Sequence, residues 1–223
     1  DIVCDNTWAL VQDGMNQWVA DQQAAGVGDE EIAQTLASYD VWDRYDFDGD
    51  GDFNEADGYI DHLQIVHSGG DQADGDPHQG EDAIWSHRWY SAYQGIGAWG
   101  PNSYGGMEIG GTGTFGNLGG PNATGFWVGD YTMQPENGGL GVFAHEYAHD
   151  LGLPDQYDTA GGENSSGFWT IMSSGSYISK AGAPDLGTKP NGFNGWEKFQ
   201  LGWATYTVGS AGSMIWFGSS AGV

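Results

Sequence analysis

Glycine interrupts this chain so often that long helices and long strands can exist in only a few places. Forty of the 223 residues are glycine, and each one inside an element costs roughly 0.5–1 kcal/mol against alanine, because glycine surrenders the most backbone freedom on folding. No Gly-X-Y period runs through them, which excludes a collagen-like rod. They predict many turns and irregular loops around a modest amount of regular structure. Material for a core is still ample, since 11 Trp, 11 Tyr and 9 Phe are present. The length suits one domain with long loops, and no internal repeat or linker divides it.

The stretches poor in glycine mark the elements. Trp8, Leu10, Val11, Met15, Trp18 and Val19 recur at three- and four-residue spacing, so residues 7–38 read as one or two helices. Gly26-Val27-Gly28 breaks the run, and Asp29-Glu30-Glu31 suits a new helix start before Ile32, Leu36 and Tyr39. An acidic loop at 40–58 leads into a strand over Tyr59–His67, and 68–82 reads as loop. Short strands are expected at Ala83–Tyr90, Gly105–Ile109 and Phe126–Gln134. Gly141–Leu151 reads as a helix stopped by Gly152 and Pro154. The remainder is loop-rich, with a helix near Asn194–Leu201 and a strand near Met214–Phe217.

Charge narrows the partners. Five basic residues oppose 31 acids, a formal charge of −26, and such a field repels nucleic acid and anionic membrane surfaces. No run of 18 apolar residues exists, so no membrane span is expected. Cys4 is the sole cysteine and cannot form a disulfide within the chain. Asp1 follows no initiator Met and no basic-plus-apolar leader, so a processed piece of a longer precursor is expected.

Fourteen of the acids fall within residues 40–82, and part of that excess has a template. Asp46 to Asp57 fits a twelve-residue calcium loop: Asp46, Asp48, Asp50 and Asp52 stand at positions one, three, five and seven, with Gly51 at the sharp turn. Asn54 and Asp57 fall at positions nine and twelve. Asp46, Asp48, Asp50, Asp52 and Asp57 repel one another unless a hard cation neutralises them. Asp replaces the usual Glu at position twelve and a strand follows, so the expectation is an EF-like loop holding a structural Ca2+, in place of disulfides. A solvated acidic turn is the bland alternative. Asp71, Asp74, Asp76, Glu81 and Asp82 form a second acidic group with no template, and His62, His67, His78 and His87 read as structural.

The most specific segment is Phe143-Ala144-His145-Glu146-Tyr147-Ala148-His149-Asp150-Leu151-Gly152-Leu153-Pro154-Asp155. On a helix, His145 and His149 project from one face, so two imidazoles can reach one ion. Glu146 is placed to take a proton from a water on that ion and pass it to a leaving amine. Zinc needs a third protein ligand and an open position. Gly152 can end the helix in a left-handed turn and swing Asp155 back to the ion; Glu197, on the later helix, is the alternative third ligand. A helix with two unrelated histidines is the bland reading, and the Gly152 and Asp155 extension weighs against it. Two rivals remain open: a calcium-stabilised binding module, and a zinc hydrolase of another kind such as an amidase.

The run from His145 to Thr159 resembles the signature of the immune inhibitor A-type metallopeptidases, secreted bacterial proteases of the metzincin kind. Asp57–His62, Ile84–Trp89, Tyr131–Glu136 and Leu201–Trp203 match in order, so the resemblance spans about residues 40–203. It implies an α+β fold with a twisted mixed sheet, mainly parallel, an active-site helix and an irregular C-terminal half, all within a single catalytic domain over 1–223. It implies His145 and His149 as zinc ligands, Glu146 as general base and Asp155 as the third ligand. Phe168 to Gly175 resembles the tight turn whose Met172 forms a hydrophobic floor beneath the metal. Catalytic Zn2+, structural Ca2+, protein or peptide substrates, secretion and a monomer are the further expectations. One departure stands out: Ser174 occupies a position where many metzincins carry Tyr, leaving Tyr157 and Tyr177 as substitutes. Residues 99–117 are read as cleft lining or as loop filler. Asn122-Ala123-Thr124 and Asn164-Ser165-Ser166 match the glycosylation pattern and are read as idle.

Overall fold

The computed structural model of the chain describes residues 2–111, 124–162, 166–183, 185–206 and 217–219. Helix α1 covers Ile2–Ala24 and helix α2 covers Asp29–Ala37. The first starts earlier than its apolar periodicity, in a stretch that contains a single glycine, Gly14. Trp8, Val11 and Val19 are buried while Leu10 faces outward. Gly26, at φ +88, turns the chain between the helices, where any Cβ would be strained. Acidic residues fill the first turn of α2, where the helix dipole favours them, and Ile32 and Leu36 are its buried pair.

Among the described residues seven short strands follow: β1 Gln64–His67, β2 His87–Tyr90, β3 Met107–Glu108, β4 Trp127–Val128, β5 Asp130–Pro135, β6 Ala204–Tyr206 and β7 Phe217–Ser219. One sheet has the order β1-β5-β2, and β3-β4 and β6-β7 form two-stranded ladders. The Thr132 N–H donates to Leu63 O and the Glu136 N–H to His67 O. Both strands advance four residues between these bonds, so β1 and β5 are parallel. The two ladders are antiparallel, and the fold is α+β with mixed pairing, less parallel than expected. All six residues of β5 are buried, as a central strand covered on both faces requires.

Several strands are shorter than the sequence pattern. Tyr59–His67 pairs regularly only from Gln64, because Tyr59 makes an isolated bridge to Trp127 and the Asp61 N–H turns to Tyr39 O. Phe126–Gln134 divides into β4 and β5. Residues 68–82 carry two 3-10 turns, Gln72–Asp74 and Gly80–Asp82. The predicted strand at Met214–Phe217 lies mostly outside the described residues, which include Phe217.

The chain divides into two compact units, residues 1–65 with 88–132 and residues 66–87 with 133–223. The first has an apolar core that includes Trp8, Val11, Ile32, Leu36, Tyr59, Met107 and Val128. Within it, buried Asp130 pairs with Arg44 and Arg88, the chain's two arginines, and accepts a 2.5 Å bond from the Tyr45 hydroxyl.

The second unit carries helix α3, Leu140–Asp150, and helix α4, Gly195–Gln200. Asn194 and Glu197 close a reciprocal capping box at the start of α4. No side chain caps α3; instead the Gly141 N–H donates to Gly187 O at 2.9 Å. A Cβ on Gly139 would collide with Leu186 O, and one on Gly141 with Ser176 O. Bare backbone at these positions is what seats α3.

Gly141→Ala separates propensity from packing. Helix propensity alone favours alanine by about 1 kcal/mol, whereas forcing backbone apart typically costs about 1–3 kcal/mol. The urea midpoint of the variant is expected to fall; an unchanged or higher midpoint would refute this seating.

Candidate metal centre

Helix α3 ends in a complete Schellman turn. The Gly152 N–H donates to His149 O, the Leu153 N–H donates to Ala148 O, and Gly152 sits at φ +95. Leu153 packs on Ala148 together with Ile171 and Met172, the apolar contact that usually accompanies this turn. The reversal delivers the Leu153 carbonyl to His149 Nδ1 at 2.7 Å and brings Asp155 back to the helix. A second carbonyl, Ile171 O, lies 2.8 Å from His145 Nδ1.

These two carbonyls decide the chemistry of the cluster. A carbonyl only accepts, so each Nδ1 carries the proton and each Nε2 presents a bare lone pair. The two Nε2 atoms are 3.1 Å apart, and Asp155 Oδ1 lies 3.2 Å from both. Among the described residues no hydrogen-bond donor meets that buried oxygen. Three acceptors this close repel one another unless a cation stands among them. A tetrahedral zinc with bonds of about 2.0–2.1 Å spaces its ligands about 3.3 Å apart, which matches this triangle. The residues present fit zinc.

The charges are graded around it. Burial lowers the His145 pKa, but the neighbouring Asp155 carboxylate, the charge of Glu146 and the Ile171 carbonyl outweigh it, and the net direction is upward. Burial raises Asp155, yet the two imidazoles beside it hold it well below the usual carboxylate range. Glu146 moves the other way: burial pushes it up, against the pull of both histidines. His145, Glu146 and His149 each bring a ligand-type atom within 4.8 Å of the others.

Met172 is fully buried against Ala148 of α3. Its N–H donates to Thr170 Oγ1 at 3.1 Å, and its carbonyl accepts from the Gln156 N–H at 2.8 Å. Glu197 is fully buried and already engaged: Oε1 accepts from the Thr170 hydroxyl and Oε2 from the Asn194 N–H. Ser174 opens a 3-10 turn, Ser174–Tyr177, that carries Tyr177. Tyr157 hydrogen-bonds Asp155, and its phenol pKa is raised by burial and by that carboxylate.

Asp71 was not distinguished from its acidic neighbours by sequence. It is buried, accepts from the Ala73 and Ser86 N–H groups and the Ser86 hydroxyl, and its charge helps raise Glu146. Only its fold neighbours reveal this. His87 is held by its Nδ1 contact to Trp85 O at 2.6 Å. None of His62, His67, His78 and His87 joins a metal-type cluster among the described residues.

In the first unit the acidic loop folds back on its own backbone. The Gly51 N–H donates to Asp46 Oδ1 at 3.0 Å, and Asp48 and Asp50 each accept from the backbone two residues on. Asp46, Asp48 and Asp50 bring their oxygens within 4.8 Å of one another, and so do Asp43, Asp48 and Glu55. Asp52 and Asp57 lie outside both groups: Asp52 accepts from the Asn54 N–H and Asp57 from the Tyr59 N–H. Sequence reading missed Asp43, which precedes the twelve-residue window, and Glu55, which falls at a non-ligand position of the template. Residues 112–117, Asn122-Ala123 and Asn164-Ser165 lie outside the described residues.

Comparison with known proteins adds an independent line. The family described as immune inhibitor A peptidase M6, catalytic domain, matches residues 2–204. Pre-pro-metalloprotease PrtV of Vibrio cholerae serotype O1 is 42% identical over 169 residues, covering 73% of this chain and 16% of that protein. Immune inhibitor A of Bacillus thuringiensis subsp. alesti is 42% identical over 161 residues, covering 71% of this chain and 21% of that protein. The chain thus spans about a sixth to a fifth of the length of these curated relatives.

Asp57 yields a pH prediction. Burial first, then the charges of Asp40, Asp43 and Asp61, push its pKa up from 3.8 to about 7, against the Tyr59 N–H. Between those values the unfolded chain binds fewer protons than the folded one, so this group makes stability fall as pH rises from about 4 to about 7. In chelator, urea midpoints at pH 4.5 and 7.5 are expected to differ less for Asp57→Asn than for the parent chain. Equal differences would remove Asp57 as the source.

Proposed function

The chain belongs to the immune inhibitor A peptidase M6 family, and from that premise we propose that it is a zinc-dependent endopeptidase acting on proteins or peptides. The observation that carries this reading is the triangle formed by His145 Nε2, His149 Nε2 and Asp155 Oδ1. Zinc, when bound, supplies a Lewis acid that polarises the scissile carbonyl and acidifies water. His145 and His149 hold it through nitrogens whose partner atoms are pinned by backbone carbonyls. Asp155 is the third ligand; the engagement of both Glu197 oxygens supports it over Glu197. Helix α3 is the active-site helix, and Met172 forms the apolar floor beneath the ion.

Glu146 is the general base. Its raised pKa suits a group that must take a proton from the attacking water and return it to the departing amine. Burial shields the carboxylate from bulk solvent, and its place beside His145 keeps it close to the reacting atoms. The family match over residues 2–204 runs through both units, which supports a single catalytic domain over 1–223; we read it as a monomer. The name of the Vibrio cholerae relative, Pre-pro-metalloprotease, supports a secreted product. For the acidic loop we read a structural Ca2+ held by Asp46, Asp48 and Asp50, with Asp52 and Asp57 completing the sequence-based set; Asp43 and Glu55 are supported by their closeness to Asp48.

One series of variants tests the zinc reading. Casein hydrolysis is expected to fall about 10²–10⁴-fold in Glu146→Gln with zinc retained, and to vanish in chelator. By metal mass spectrometry, Asp155→Ala is expected to lose zinc while Glu197→Ala keeps it and melts at lower temperature. Full zinc in Asp155→Ala would refute the ligand assignment, and hydrolysis of simple amides in place of casein would favour the amidase. Removing calcium alone is expected to lower the melting temperature by more than about 5 °C; no shift would return the loop to a solvated acidic turn.

A further inference from the structure

Beside His145 lies a cavity of about 240 Å³, far more than the roughly 10–15 Å³ that one water needs. Tyr157, Tyr177, Ser173, Ser174, Ser176, Asp158 and Gly162 line it. Among the described residues no aliphatic side chain, lysine or arginine lines it.

Asp158 is built into this wall. Its Oδ1 accepts from the Ala160 N–H at 2.9 Å and its carbonyl from the Gly161 N–H at 3.0 Å, a turn that fixes the side chain over its own backbone. The loop then passes Gly162, where a Cβ would collide with Asp158 Oδ2. Glycine there leaves room for the carboxylate. Negative potential extends around the cavity: burial, then the charges of Asp71, Glu146, Asp155 and Asp74, raise the phenol pKa of Tyr177.

An apolar side chain entering here would strip water from hydroxyls and a carboxylate without replacing their bonds, which is costly. An acidic one would meet like charge. A long side chain with an apolar stem and a cationic head can lie along the tyrosine rings and end at a carboxylate. Resting on the peptidase reading above, we propose that this cavity receives a lysine or arginine side chain adjoining the scissile bond, with Asp158 as its countercharge and the specificity-determining residue.

The test uses the zinc-loaded chain and peptides that differ only in the residue on one or the other side of the cleaved bond, carrying Lys, Arg, Leu, Phe or Glu. Products identify the bond, and kcat/KM is read as the ratio of Lys to Leu peptide. The ratio is expected to exceed about ten and to fall about tenfold in Asp158→Asn, whose amide oxygen preserves the turn. In Asp158→Lys the order is expected to shift toward Glu. Because each ratio comes from one preparation, partial misfolding of a variant cannot imitate the effect. Preference for Leu or Phe, or a ratio unchanged in Asp158→Asn, overturns the proposal while the peptidase reading stands. Failure to cleave any peptide overturns both.

Discussion

Three acceptor atoms held about one van der Waals contact apart define the second unit, and much of its local architecture restrains them. Left to themselves, two imidazole lone pairs and a carboxylate oxygen would separate. The Leu153 and Ile171 carbonyls prevent the rings from turning away. Ile171 in turn belongs to the turn that buries Met172 against α3, and Thr170 steadies that turn by accepting the Met172 N–H while donating to Glu197. Glu197 also closes the capping box of α4. A path of hydrogen bonds and packing therefore runs from α4 through the Met172 turn to His145. Glu197 occupies its far end as a structural acceptor, which explains why a fully buried acid on a short helix need not be a ligand.

The acidity and the glycine content answer each other. Loops rich in glycine leave many backbone N–H groups outside any helix or ladder, and each needs an acceptor if buried. Aspartate supplies them repeatedly. Asp40 accepts from the Asp57 and Gly58 N–H groups, Asp43 from Tyr45 and Phe47, Asp61 from Val41 and Trp42, and Asp76 from His78 and Gln79. Much of the excess negative charge is therefore loop scaffolding. With both arginines already committed to Asp130, the chain has few cations of its own to offset the remainder, and the crowded carboxylates near Asp48 are where an added cation relieves most repulsion.

What sequence made legible was whatever repeats locally. The helices α1 and α2 and the break at Gly26 follow from side-chain period and one positive-φ glycine. The Schellman stop of α3 follows from Gly152 and Leu153, and α4 from Asn194 and Glu197 three residues apart. Strands were harder, because their ends depend on distant partners: the Tyr59 segment leaves its ladder for Trp127 and Tyr39, contacts that no local pattern announces. The same reason hid the placement of Asp43 and Asp71, while Glu55 falls at a non-ligand position of the template. A template fixes ligands by spacing within twelve residues, whereas Asp43 approaches from outside that window. Asp71 gains its electrostatic influence on Glu146 only through folding across more than seventy residues of chain.

Two carboxylates share the neighbourhood of the same imidazoles, yet they are driven in opposite directions. The two imidazoles beside Asp155 outweigh its burial and keep it ionised. Glu146 lacks that compensation: the histidines act on it through charge alone, and burial wins. In the proposed roles, Asp155 as ligand must remain an anion throughout, and Glu146 as base must be able to hold a proton for part of the cycle. Pairs of titratable groups pushed apart in this way mark a division of labour. Here the split follows from helix geometry, since the residue next to a ligand points beside the cluster and only a chain reversed at Gly152 can bring an oxygen squarely between the two rings.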